Sequence, residues 1–194
     1  MRKLDFAETL KDAFAIGIKN FLSLLGCVVL WLLTIWIPYV NVGTTIAIST
    51  LPAALSKGKI ISPLEIFNKK YFKFMGEFFL VIGLQFLIIL PASIFLFIPA
   101  IVMALSYILS TLLVVDKGKG ASEALRLSNS LTYGNKWTIF FAQLVLGLIF
   151  ALLFFIGFKV SMVLVVIFVL IAMPISLGLL ASIYKQLAVD VTEE

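Results

Sequence analysis

The side chains that most often carry out acid–base, nucleophilic or metal chemistry are almost missing from this chain. It contains no histidine and one cysteine, Cys27, so a histidine general base, an internal disulfide and a histidine or multi-cysteine metal site are excluded. The sequence also lacks a Gly-x-Ser-x-Gly nucleophile turn, a His-Glu-x-x-His pair, a Walker loop and a Gly-x-Gly-x-x-Gly loop. We therefore predict no catalytic residue, no metal ligand and no cofactor, and a protein that is not an enzyme.

Carboxylates are the remaining groups that could exchange protons. Glu77 reaches furthest into an apolar stretch, about one helical turn beyond Lys73. We expect Glu77 either to snorkel toward water or to pair with that lysine. An enzyme would have to use carboxylates such as Glu77 or Asp116, and this hypothesis ranks third of three.

Two glutamines lie inside long apolar stretches, where polar side chains are uncommon. Gln85 and Gln143 each occur several residues past a charged boundary. Between helices an amide can form a hydrogen bond worth ~0.6–2 kcal/mol, so one interpretation is that both residues hold helices together. The other interpretation is that they line a path for a solute or a lipid, together with Tyr107 and the helix that contains residues 44–50.

Two pairs of small residues are spaced four apart in the apolar stretches. They are Ser106 with Ser110, and Gly178 with Ser182. This spacing favours close packing of helices, either within one protein or between copies of it.

These residues are set in an unusually apolar chain. Of its 194 residues 62% are hydrophobic, well above the ~45–50% that is typical of soluble domains. The net charge is +5, and the cations flank apolar stretches, so we expect attraction to anionic lipid headgroups and no binding of nucleic acid. We predict a single integral membrane domain over residues 1–194.

Long stretches without charge predict membrane-spanning helices that are arranged in pairs. The stretches are residues 20–56, 78–115, 137–158 and 160–184. A hydrocarbon core of ~30 Å needs ~20 helical residues, so each of the first two stretches fits two short crossings. With the last two stretches, this predicts an all-α protein of six transmembrane helices in three hairpins. The weakest crossing runs from Thr44 to Leu55, which we expect to be tilted, broken or buried because it contains several hydroxyls and Pro52.

Basic residues predict the orientation of these hairpins. Every charge except that of Lys159 falls near the termini or in the loops around residues 57–73 and 117–136. The positive-inside rule then places both termini and these loops in the cytoplasm. We expect Tyr39 at the outer membrane interface and Tyr71 at the inner one, where amphipathic rings anchor.

Each hairpin follows a similar charged connector segment. Glutamates begin these segments at positions 8, 65 and 123, a spacing of 57 and then 58 residues. A fixed period of this size indicates a repeated structural unit. The repeat units that it predicts are about 1–57, 58–116 and 117–194.

The connectors are predicted to be amphipathic helices at the cytoplasmic face. The apolar face of the first contains Phe6, Leu10 and Phe14. That of the third contains Ala124, Leu127 and Leu131. Such helices lie in the headgroup plane or pack under the bundle, and binding of a partner is the alternative.

One stretch of the chain resembles a known family. It comprises residues 113–118 (LVVDKG), 121–128 (ASEALRLS) and 133–137 (YGNKW). This pattern resembles a signature of YciC-like bacterial membrane proteins and of the membrane domain attached to some glycerophosphodiester phosphodiesterases. The resemblance implies an integral inner-membrane protein with six helices and without an assigned activity. The catalytic residues of the phosphodiesterase barrel have no counterpart here.

Taken together, these patterns predict a polytopic protein of the bacterial inner (plasma) membrane that is not an enzyme. We expect it to act by binding membrane lipids, partner proteins or further copies of itself. A transporter or channel for a small or lipidic solute is the alternative. That alternative predicts a polar-lined cavity between helices.

Overall fold

The computed structural model describes residues 3–95, 97–188 and 191. Within these residues all regular structure is helical, as the sequence predicts. A short 3-10 turn covers Pro63–Phe67. The helices are α1 (Phe6–Lys19), α2 (Phe21–Thr34), α3 (Pro38–Ser56), α4 (Lys70–Lys73), α5 (Met75–Phe95), α6 (Phe97–Ser106), α7 (Ser110–Lys117), α8 (Ala121–Thr132), α9 (Lys136–Val160) and α10 (Met162–Leu187).

Four helical segments of the described chain are long and apolar enough to cross a membrane. They are Met75–Ile94, Phe97–Lys117, Lys136–Val160 and Met162–Leu187. These agree with the four crossings predicted for the second and third hairpins. The two crossings predicted for the first hairpin are not among them. Helix α2 has 14 residues and a length of ~21 Å, and it forms a fifth candidate only jointly with α1, from which it bends by 71°.

Helix α3 contains the segment from Thr44 to Leu55 that was the weakest predicted crossing. The segment is one continuous helix in spite of Pro52, and it packs against α2, α7 and α10. Nine of the 19 residues of α3 are buried, among them Thr50, whose hydroxyl donates to the Ile46 carbonyl at 2.7 Å. The segment was predicted to be tilted, broken or buried, and in the structure it is a buried helix.

The start of α3 lies against the segment that follows its end. Tyr39 stacks on Phe72 with ring centroids 4.8 Å apart. A Cβ atom on Gly43 would approach the Phe72 ring to 2.4 Å, so the helix backbone also lies directly on that ring. The prediction that Tyr39 and Tyr71 lie at opposite interfaces is therefore wrong, because the chain after α3 runs back along the helix.

The two longest candidate membrane-spanning helices, α9 and α10, are buried along only part of their length. In α9 the buried residues Ile139, Ala142 and Leu146 all lie in the first half, and the second half contains one more, Gly157. In α10 every buried residue falls between Ala172 and Leu187. The adjoining halves of these two helices therefore form an apolar hairpin with exposed faces, which suits contact with lipid rather than water.

Helix α1 packs very closely against the second half of α10. A Cβ atom on Gly178 would lie 2.3 Å from the Ala13 carbonyl oxygen, and one on Gly17 would lie 2.9 Å from the Ile175 Cα atom. Ser182 is fully buried. The prediction that Gly178 and Ser182 permit close helix packing is confirmed within the protein. Around the contact, Lys185 pairs with Asp12 at 2.8 Å.

The apolar faces predicted for α1 and α8 are confirmed in part, since Leu10, Phe14, Leu127 and Leu131 pack against the core. In α1 the buried stripe nevertheless consists of Thr9, Ala13 and Gly17, while Phe6 is 39% exposed. Because the backbones of α1 and α10 approach closely, only small side chains fit at the centre of their contact. In α8 Ala124 is buried as expected, and the other buried residues are Ala121, Leu125, Ser128 and Thr132.

The second connector is not the amphipathic α-helix that the repeat predicts. It consists of the 3-10 turn and the four-residue helix α4, which are separated by Asn68. The Asn68 side chain accepts a hydrogen bond from the Lys70 N–H at 3.0 Å. Such local side-chain bonds compete with the helical ladder, and the break at Asn68 follows from this competition.

Three hydrogen bonds connect the start of one helix pair to a connector elsewhere in the chain. In each, a polar side chain at the start of a helix pair accepts from a backbone N–H at the start of a connector. The pairs are Ile61 N–H to Asn20 Oδ1 (3.4 Å), Ala121 N–H to Glu77 Oε2 (2.6 Å) and Leu4 N–H to Asn135 Oδ1 (2.8 Å). The third joins the beginning of the chain to its last helix pair.

We expect Gly178→Ala to destabilise the protein by about 1–3 kcal/mol, because the added methyl group would force α1 away from α10. Gly83→Ala is the matched control, since a Cβ atom at Gly83 has no neighbour within 4 Å. That change should be neutral or stabilising by up to about 1 kcal/mol through helix propensity. Unfolding in detergent, followed by circular dichroism, measures both. Equal stability of the two variants would contradict the close contact.

Candidate functional site

A cluster of charged side chains lies where the ends of α3, α7 and α10 meet. The Asp116 carboxylate accepts from Lys57 Nζ at 2.6 Å and from the Tyr184 hydroxyl at 2.9 Å. Lys117 Nζ lies 3.8 Å from the same carboxylate. The Asp116 side chain is only 11% exposed. Its contacts neutralise a carboxylate that burial would otherwise destabilise, so this cluster joins three helix ends.

Glu77 is bound to the first residue of α8 and not to Lys73. Its Oε2 atom accepts from the Ala121 N–H at 2.6 Å. A carboxylate at a helix N-terminus satisfies a backbone N–H that has no partner within the helix and interacts favourably with the helix dipole. The expected pairing with Lys73 is therefore wrong, and the exposed Glu77 side chain caps a neighbouring helix instead.

Gln85 joins α5 to the turn between α6 and α7. Its Nε2 atom donates to the Tyr107 carbonyl at 2.9 Å and to the Ser110 hydroxyl. Ser110 in turn donates to the same carbonyl at 2.7 Å. Of the two interpretations of Gln85, these contacts favour the one in which it holds helices together. Tyr107 takes part through its backbone, while its ring packs against the apolar core.

The same turn is held from the other side by α8. The Ser128 hydroxyl donates to the Ser106 carbonyl at 2.7 Å and accepts from the Leu109 N–H at 3.2 Å. The backbone groups freed by the break between α6 and α7 are thus satisfied by side chains from α5 and α8. Irregular backbone in an apolar setting is stable only under this condition.

Gln143 occupies a different environment from Gln85. It is exposed on α9 and lines two shallow grooves, one on each side of that helix. The predicted lining residues therefore do not share one cavity. Glu77 caps α8, Gln85 and Tyr107 meet at the α5–α7 contact, and the threonines of residues 44–50 lie in the buried helix α3.

An apolar groove that the sequence analysis missed runs between α6 and α9. It has a volume of about 480 Å³, and its lining includes Lys136 and Trp137 at the start of α9. Its walls include Ile101, Leu105 and Phe140, which also line a second groove of about 400 Å³ that reaches Gln143. The signal in the sequence was the segment 133–137 (YGNKW), which combines a turn glycine, a cation and two aromatic rings.

Among the described residues, no three or more histidine, cysteine or acidic side chains come together as a metal site would require. Comparison of the chain with protein-family models, with curated proteins and with solved structures found no match. The candidate site consists of the α6–α9 groove, together with the polar contacts that hold its helices.

We expect Gln85→Leu to destabilise the protein by about 0.6–2 kcal/mol, because it removes two hydrogen bonds between α5 and the α6–α7 turn. Gln143→Leu is the matched control. The Gln143 side chain is exposed, so the change should stay within about 0.5 kcal/mol of the wild type. Denaturation in detergent micelles distinguishes the two, and a larger loss for Gln143→Leu would contradict the assignment.

Proposed function

We propose that this chain is a polytopic protein of a bacterial inner membrane that is not an enzyme and acts by binding lipid or partner proteins. The observation that carries the proposal is the exposed apolar surface of its spanning helices. The windows of highest hydropathy in Met75–Ile94 and Lys136–Val160 are only 11% and 17% buried within the protein. Apolar surface of this extent is stable against lipid tails or another apolar protein surface.

For the topology we propose that both termini are cytoplasmic. Two hairpins, α5 with α6–α7 and α9 with α10, cross the membrane. In the finer layout with six crossings, α2 and α3 form a third crossing pair. The stacking of Tyr39 on Phe72 supports a pair that enters and leaves on the same side without crossing fully. In both layouts the termini share a side, and Lys159 lies on the opposite one.

We also propose that the chain is a threefold repeat of a connector followed by a helix pair. Two observations support this idea. The three long-range hydrogen bonds run from the first unit to the second, the second to the third and the third to the first. The residues that directly follow the periodic glutamates, Thr9, Ile66 and Ala124, are all buried to 1% exposure or less.

Contacts between elements follow the same cyclic order. The connector α1 packs on α10, the 3-10 turn and α4 pack on α3, and α8 packs on α7. Each connector thus lies against the last helix of the preceding unit, with the third unit preceding the first. Such an arrangement would let three units that each lack a complete core bury one together.

Binding has more support than transport. A transport path needs polar groups that face a common cavity, whereas Gln85, Tyr107 and Glu77 are engaged in separate helix contacts. The kinship with YciC-like membrane proteins remains a proposal that rests on residues 113–137.

Cysteine labelling tests this topology. In a Cys27→Ser background, single cysteines replace the exposed residues Lys11, Lys59, Arg126 and Lys159. We expect a membrane-impermeant maleimide added to intact spheroplasts to label only Lys159→Cys, and all four after the membrane is permeabilised. External labelling at Lys59 or Arg126 would refute the orientation. Labelling at Lys11 and Lys159 alone would instead favour five crossings with α1 and α2 as one bent span.

A further inference from the structure

We propose that the groove between α6 and α9 is a binding site for one anionic phospholipid of the surrounding bilayer. An acyl chain would lie in the groove, and the phosphate would lie at its Lys136 end. This inference rests on the proposed function, because it requires α6 and α9 to be in contact with a bilayer.

The groove is large enough for one acyl chain. Its volume of about 480 Å³, and the volume of about 400 Å³ of the second groove with which it shares lining residues, fall within the range of specific ligand sites, ~300–1,000 Å³. Along α9 the lining of the two grooves extends from Lys136 to Leu148, and these twelve residue steps correspond to ~18 Å. A chain that entered beside Lys136 would lie along α9 toward Gly147.

The lining is apolar except for Gln143 in the second groove and the polar side chains at the Lys136 end. Ile101, Leu105 and Phe140 form the shared middle part. At Gly147 the wall recedes, because a Cβ atom there would have no neighbour within 4 Å. At the other end Trp137 is 74% exposed and Tyr133 is 60% exposed. Rings of this amphipathic kind are favoured at the level of lipid headgroups.

Charge complementarity selects an anionic headgroup. The Lys136 ammonium donates to the Asn129 amide oxygen at 3.2 Å, and in the described part of the chain no carboxylate forms an ion pair with it. Arg126 is exposed three residues before Asn129 on α8, so both cations lie near the same amide. A phosphate at this position would meet positive charge that the protein leaves uncompensated. This favours a phospholipid with net negative charge over a zwitterionic one.

Native mass spectrometry of the purified chain in detergent tests the site. The protein is incubated with phosphatidylglycerol or with phosphatidylcholine of the same acyl chains, and bound lipid is read as an added mass. We expect one lipid per protein, with about a fivefold preference for phosphatidylglycerol, as one cation at a lipid surface would produce. Lys136→Gln should remove most of the preference, because Lys136 lines the groove and Arg126 does not. Lys159→Gln, at the other end of α9, should leave it unchanged.

A second pair of variants tests the groove independently of charge. Gly147→Phe fills the inner end, so binding of both lipids should fall severalfold. Gly83→Phe, which adds the same side chain in open space on α5, should have no effect. Circular dichroism confirms that each variant retains its helix content.

The possible results separate this inference from the proposed function. Vesicle flotation is measured on the same preparations. If the protein floats with vesicles but binds both lipids equally, the lipid site is refuted and the membrane assignment stands. The same holds if Lys136→Gln and Gly147→Phe leave lipid binding unchanged. A protein dimer that excludes lipid shows that a second copy occupies the groove, which also overturns the site. Failure to float refutes both proposals.

Discussion

The Asp116 carboxylate binds together three helix ends from distant parts of the chain. Lys57 follows the end of α3, Asp116 lies in the last turn of α7, and Tyr184 lies near the end of α10. Removing a carboxylate from water costs several kcal/mol unless charged and hydrogen-bonding partners compensate. The Asp116 carboxylate has these partners only when the ends of α3, α7 and α10 lie next to one another. The packing of α3 against α7 and α10, two helices of the candidate membrane-spanning segments, depends on this arrangement.

The sequence predicted those parts of the fold that depend on local composition. Long apolar stretches located α5, α6–α7, α9 and α10, and the spacing of Gly178 and Ser182 indicated a close helix contact. The sequence did not predict features that depend on a distant partner. The buried stripe of α1 is determined by the backbone of α10, and the position of Tyr39 by Phe72. The two crossings predicted for the first helix pair are not confirmed, because α3 is less apolar than the other stretches and buries hydroxyls within the protein.

For the predicted site residues, too, the sequence indicated local properties but not the contacts with distant parts of the chain. Their polarity in an apolar setting was evident from the sequence, but their role depended on what each one faces. Gln85 and Glu77 satisfy backbone groups or hydroxyls of neighbouring helices, and so hold the bundle together. Gln143 faces an open groove. The most suggestive surface, beside Lys136 and Trp137, combines residues of ordinary types and is recognisable only once α6 lies next to α9.

The pairing of α1 with α10 has a consequence for biosynthesis. Asp12 and its partner Lys185 are separated by 173 positions, so the first helix is made long before the last one exists. At ~5–20 residues per second, translation takes roughly 10 to 35 s to cover that distance. During this interval the small-residue stripe of α1 lacks the α10 surface on which it packs. Docking of α1 can therefore occur only after α10 has been synthesised, so this contact forms late in folding.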